Sequence, residues 1–167
     1  MKKYFLYLSC TALLAASFCL MPNVNRAQSA GDQSSSTHAL VQPDSIQWKP
    51  FFPGAEIAAI SGDPAKEGEP FVLRIKLPDG MKVPPHWHPV DENITVLKGT
   101  FLVGMGEKYE TSSMKPLPVG GFGLLPKKMP HFAYSKGETI VQVHGIGPFQ
   151  VIFVNPADDP RQKSTPK

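Results

Sequence analysis

The stretch that decides the fold reads Gly80-Met-Lys-Val-Pro-Pro-His86-Trp-His88-Pro-Val-Asp-Glu92-Asn-Ile-Thr-Val-Leu-Lys-Gly99. It sets two histidines and a carboxylate at fixed spacing between two glycines, and a further histidine follows at His131. Side chains at i and i+2 of a strand leave the same face, so His86 and His88 can aim two imidazoles at one point while Trp87 turns away. Neutral imidazole and carboxylate together suit a divalent first-row metal. The segment reads as most of a metal site.

Working outward, the flanking chain looks all-β. Phe71–Leu77 is an extended run that stops at the turn signal Pro78-Asp-Gly80. Asn93–Leu97, Thr100–Met105, Gly121–Leu125, Phe132–Ser135, Thr139–His144 and Phe149–Asn155 continue the series, punctuated by glycine and proline. Only Gly106–Lys115 could hold a short helix, or simply a long loop. Many short strands with turn signals every ten residues or so argue for a sandwich or barrel in a single domain.

The turn Lys136-Gly137 predicts a hairpin of Phe132–Ser135 with Thr139–Val143. That pairing would put position 131 opposite 142 and 129 opposite 144, so Gln142 and His144 would face inward with His131. A slip of one residue reverses the assignment. On the inward reading His144 and Gln142 contact substrate or hydrogen-bond a ligating group; on the other they only support the barrel. Trp87 and Phe132, alternating away from the ligands, read as packing residues, and Asp91 as a solvated turn residue.

These residues resemble the cupin superfamily. Its first motif, G-x5-H-x-H-x3-E-x6-G, is met without departure by Gly80, His86, His88, Glu92 and Gly99. Its second, G-x5-P-x-G-x2-H-x3-N, finds Gly120, Pro126 and His131 in register, with Lys128 in place of the glycine and Ser135 in place of the asparagine. The resemblance covers roughly Pro43 to Pro156. It implies a double-stranded β-helix, or jelly-roll, barrel in which His86, His88, Glu92 and His131 ligate one metal ion. Lys128 puts the local turn in question, because lysine adopts positive φ only at a cost.

Three imidazoles and one carboxylate leave open positions in an octahedral shell, and related His/carboxylate sites activate oxygen at iron. Tetrahedral zinc would be filled by the four protein ligands instead. The leading expectation is therefore a metal-dependent, dioxygenase-type oxidoreductase acting on a small oxygen-rich molecule, with Fe, Mn, Ni, Cu or Zn as the divalent ion. Glu92 and His144 are the expected proton-handling residues. The alternatives are a redox-silent isomerase or lyase, or a non-catalytic module that binds or senses a small ligand.

The N-terminus begins Met1-Lys2-Lys3, continues as an apolar run from Tyr4 to Met21, and ends in small residues at Ala27, Ser29 and Ala30. That order describes a secretory signal peptide over 1–27, and export to the periplasm or beyond the cell. An uncleaved membrane anchor is the alternative, since the run approaches the ~18 residues of a spanning helix. A flexible linker is expected over 28–42, the barrel over 43–156 and a C-terminal tail over 157–167. Cys10 and Cys19 both lie in the apolar run, so the remaining chain has no disulfide or thiolate chemistry. Lys2, Lys3 and Arg26 account for three of the 17 basic residues; the other 14 balance 14 acidic ones. A chain near neutrality gives no case for nucleic acid or, once the signal is removed, for a membrane surface. Unpaired strand edges in a small barrel suggest a homodimer.

Overall fold

A computed structural model of the chain describes residues 39–164. The expected signal peptide, His38 and most of the expected linker lie outside them. Among the described residues the strands are β1 (Lys49–Pro50), β2 (Glu56–Ser61), β3 (Pro70–Leu77), β4 (Lys82–Trp87), β5 (Glu92–Met105), β6 (Lys115–Pro118), β7 (Phe122–Leu125), β8 (His131–Ile146) and β9 (Ile152–Phe153). The other regular elements there are short 3-10 turns, one of which, Thr111–Ser113, occupies the stretch where a helix or loop was open. None of the described helices is long and apolar enough to cross a membrane.

Two long strands organise the barrel. β5 and β8 run antiparallel beside each other from Asn93↔His144 to Met105↔His131. On its other edge β8 pairs β3 through Thr139–Ile146 and β4 through His131–Tyr134. Each long strand therefore belongs to two sheet halves. One half runs β1-β2-β3-β8-β5-β7 and the other β9-β4-β8-β5-β6. Side chains from both halves, Ile75 and Val141 from one and Val83, Phe101 and Ala133 from the other, line a single interior cavity.

The halves part at Gly99 and Gly137, both at positive φ, where the β5–β8 register slips. Gly99 is the one residue type this corner accepts. A Cβ there would stand 2.5 Å from the Glu138 carbonyl oxygen and 2.6 Å from Thr139 Oγ1, and its φ of +72° is one that L side chains rarely adopt.

This corner corrects the hairpin expected at Lys136-Gly137. Those residues lie inside β8, a continuous strand of 16 residues. β5 runs alongside with a matching bend at Gly99, so both arms of β8 find partners without the chain reversing. For the same reason Asn93–Leu97 and Thr100–Met105 form one strand, not two. The cross-strand neighbours of Gln142 are Arg74 and Thr95, and those of His144 are Val72 and Asn93.

The core follows the period-2 pattern of the strands. Leu73, Ile94, Val96, Val141 and Val143 are almost fully buried between the halves. Phe132 also reaches zero exposure, though it alternates away from His131. It packs over Gly104, where a Cβ would come within 2.2 Å of its ring, and beside Tyr109 at 5.2 Å between centroids. Part of the expected C-terminal tail is docked. Arg161 places its guanidinium 5.9 Å from the Phe52 ring centroid and 5.8 Å from that of Phe153, and donates to the Val151 carbonyl at 3.1 Å.

Candidate metal centre

Three strand ends and one loop residue deliver the polar cluster. His86 is the penultimate residue of β4, and His88 follows just past its end. Glu92 opens β5 and His131 opens β8. His86 is the antiparallel partner of His131, so the two side chains share a face, and their ring centroids lie 4.3 Å apart. His88 stands 5.1 Å from each of them. Pro84, Pro85 and Pro89 fix φ on both sides of the histidine pair, which lowers the entropy lost in holding it.

One nitrogen of each ring is already committed. Nδ1 of His86 lies 2.7 Å from the Pro84 carbonyl, that of His88 2.7 Å from the Gln150 carbonyl, and that of His131 3.1 Å from the Met129 carbonyl. A carbonyl only accepts, so each Nδ1 carries the hydrogen and each neutral ring presents an Nε2 lone pair. Nε2 of His88 and of His131 are buried without a hydrogen-bond partner. Both stand near Glu92 Oε2, at 3.2 and 3.4 Å. The three histidines each offer a ligand atom within 4.8 Å of the others.

The electrostatics agree with this arrangement. Burial first, then the neighbouring His131 and His88, push the His86 imidazole down to about 3. For Glu92 burial would raise the carboxyl, but His88 and His131 outweigh it and hold it below the usual carboxylate range. The cluster thus keeps a carboxylate ionised and resists a proton on His86. Orphaned Nε2 atoms around a buried carboxylate are the donor set of a borderline divalent cation, and the residues fit one.

The sequence-predicted residues separate cleanly. His86, His88, His131 and Glu92 come together. His144 does not: it alternates with the fully buried Val143 and so belongs to the outward phase of β8. Its inward placement depended on the hairpin that does not form, and it is withdrawn from the site. Gln142 shares that outward phase and accepts a hydrogen bond from Arg74 Nε at 3.2 Å. Asp91 is exposed, and its carboxylate accepts the Lys127 amide at 2.8 Å. Lys128 does hold positive φ, +60°, and its amide donates to the His88 carbonyl at 2.8 Å. Ser135, in the asparagine position, is buried; its hydroxyl donates to the Pro78 carbonyl and accepts the Met81 amide.

Sequence reasoning missed the support from the C-terminal segment. The Phe149 ring stacks on His88 at 4.4 Å and 20°, and Phe153 lies 5.8 Å from His86. The acceptors for Nδ1 are backbone carbonyls, which leave no residue signature. A cavity of about 40 Å³ adjoins the cluster. His86, Glu92 and His131 are its polar walls, and the rest is aliphatic and aromatic.

An all-β barrel with a histidine cluster of this kind, set by these two motifs, is a cupin. Residues 36–150 match the family model described as the ChrR cupin-like domain, and the chain belongs to that family. No curated protein matches the sequence. Among solved structures, the polyketide cyclase RemF of Streptomyces resistomycificus superposes with a TM-score of 0.59 at 17% identity, over 78% of this chain and 95% of its own. A putative acetylacetone dioxygenase of Methylibium petroleiphilum gives 0.56 at 19% identity, over 76% and 88%. An RmlC-like cupin of Shewanella frigidimarina gives 0.54 at 15% identity, over 66% and 91%. At such identities the likeness is one of fold.

Proposed function

We propose that the chain is a metal-dependent cupin enzyme that oxidises a small molecule with dioxygen, with His86, His88, Glu92 and His131 holding one divalent ion. One observation carries this reading: three rings fixed through Nδ1 each offer a ligand atom within 4.8 Å of the others, and two of them, His88 and His131, stand 3.2 and 3.4 Å from the buried Glu92 carboxylate. A redox-active ion held there would supply electron transfer between an oxygen-donor substrate and O₂. The chain's own part is positioning and exclusion. The backbone carbonyls orient the imidazoles, Phe149 braces His88, and the apolar wall keeps bulk water from the reacting atoms. Glu92 presents Oε2 to His88 and His131, which leaves its second oxygen to accept a proton from the substrate. The fold shared with the putative acetylacetone dioxygenase, and equally with the polyketide cyclase RemF, is compatible with this reaction class and does not select it.

The test is oxygen consumption by the iron-loaded chain with 1,3-diketones, catechols and flavonols. Turnover with one of these, lost at least a hundredfold in Glu92→Gln while iron remains bound, supports the proposal. Tight binding of such compounds with no product after hours would favour a non-catalytic binding barrel.

Export rests on Met1 to Ala30 alone, and amino-terminal sequencing of protein recovered from the periplasm would test it. A homodimer is proposed across β7, which pairs only with β5 among the described strands and exposes Phe122 and Leu124. Sedimentation of wild type beside Phe122→Ser/Leu124→Ser would show a dimer lost in the variant.

A further inference from the structure

We propose that the cavity beside the cluster selects a monoanionic oxygen ligand with a short apolar tail, such as a short-chain carboxylate, and turns away polyols and dianions. The proposal deepens the metal-enzyme reading and rests on it. Three observations support it.

The first is charge. Three neutral imidazoles and one carboxylate around a divalent ion sum to about +1, and a single negative head cancels that in surroundings where an unpaired charge is costly. A second negative charge would have no partner, since no lysine or arginine lines the cavity.

The second is lining. Beyond His86, Glu92 and His131, none of the lining residues is serine, threonine, tyrosine, asparagine or glutamine. Ile75, Leu77, Ile94, Phe101 and Val141 form much of the wall. The backbone groups of these strands are largely engaged in the sheet. A hydroxyl on the ligand's tail would be stripped of water and left without a partner.

The third is size. About 40 Å³ holds roughly three water-sized groups. Ala133 lines this space two residues along β8 from His131, on the same face, and its single methyl leaves room that a larger side chain would take. Ala133 is thereby assigned as a specificity-determining position.

The probe is the Co²⁺-substituted full chain, read by its visible absorption bands. Bands that appear in wild type and vanish in His86→Ala/His88→Ala establish the metal reading by itself. Acetate, propionate, butyrate, 3-hydroxypropionate and succinate are then titrated against those bands. Affinity should rise about three- to fourfold from acetate to propionate and gain nothing further at butyrate, whose fourth carbon exceeds the space. 3-Hydroxypropionate should bind about tenfold more weakly than butyrate, although its hydroxyl could only help it reach the ion, and succinate should not compete. Ala133→Val should keep the bands and move the best tail to a shorter one, and Phe101→Leu should move it to a longer one. Intact bands with affinity indifferent to tail length, or with succinate or 3-hydroxypropionate preferred, would overturn the selectivity. Absence of bands in wild type would overturn the metal reading itself, and the selectivity with it.

Discussion

His88 and Phe149 stand face to face, their rings 4.4 Å apart and 20° from parallel, and the next residue, Gln150, supplies the carbonyl that fixes His88 Nδ1. The histidine is thus oriented by a segment 61 and 62 residues further along the chain. Groups that hold a ligand's ring commonly control metal affinity by one to two orders of magnitude. Phe149→Ala should weaken metal binding about tenfold in competition with a chromophoric chelator. Gln150→Ala should leave it unchanged, because only the backbone of that residue is used.

Lys128 is the only non-glycine residue at positive φ among those described. A left-handed residue with a Cβ carries a cost of roughly 1–2 kcal/mol, offset in part by the greater freedom glycine has in the unfolded chain. Lys128→Gly should therefore raise stability by about 1 kcal/mol, or ~2–4 °C in melting temperature. Metal content should be unchanged, since the amide bonded to the His88 carbonyl survives.

Gly99 is the opposite case. Gly99→Ala adds a Cβ against the Glu138 carbonyl and Thr139 at a φ of +72°, at the bend where both long strands change sheet. We expect a loss of more than ~3 kcal/mol, seen as failure to recover soluble protein or as a collapsed denaturation midpoint. Gly137→Ala shares the positive φ but meets no atom within 4 Å, so it should cost only ~1 kcal/mol.

The metal-free protein should be acid-sensitive. His86 takes a proton near 6.5 when unfolded but only near 3 when folded, because burial and then its histidine neighbours oppose the charge. Between those values the unfolded chain binds more protons, so stability falls as pH drops through that window. Glu92 acts with the same sign. Burial opposes its ionisation, but His88 and His131 prevail and hold it low, so its contribution is present above the ordinary 4.5 and is lost as pH falls further. The melting temperature should drop by on the order of 10 °C between pH 7 and pH 4. His86→Leu, which cannot titrate, should flatten the upper part of that slope. Added metal should raise the melting temperature at pH 7, and acid should release the metal by protonating its ligands.

The candidate centre was legible because its residues crowd into two short motifs. His86 lies on β4 in register with His131, whereas His88 falls just past that strand and takes its orientation from Phe149 and the Gln150 carbonyl; the cost expected at Lys128 appears as its positive φ. The path of β8 was not legible. Lys136-Gly137 reads locally as a reversal, and only the neighbouring bend at Gly99 turns it into a corner within one strand. That error alone moved His144 inward. His144→Ala should accordingly leave metal content and turnover at wild-type levels, which assays of the purified variant would check. The carbonyls of Pro84, Met129 and Gln150 had no signature to read, since any residue presents one.

The most direct test of the account is metal content by mass spectrometry. The chain would be purified without a metal-affinity tag, beside the His86→Ala/His88→Ala variant. A metal centre at these histidines gives about one divalent ion of a first-row metal per wild-type chain and almost none in the variant, with both proteins folded by circular dichroism. A folded wild-type chain that holds no metal even after reconstitution, or one that holds as much as the variant, would contradict it.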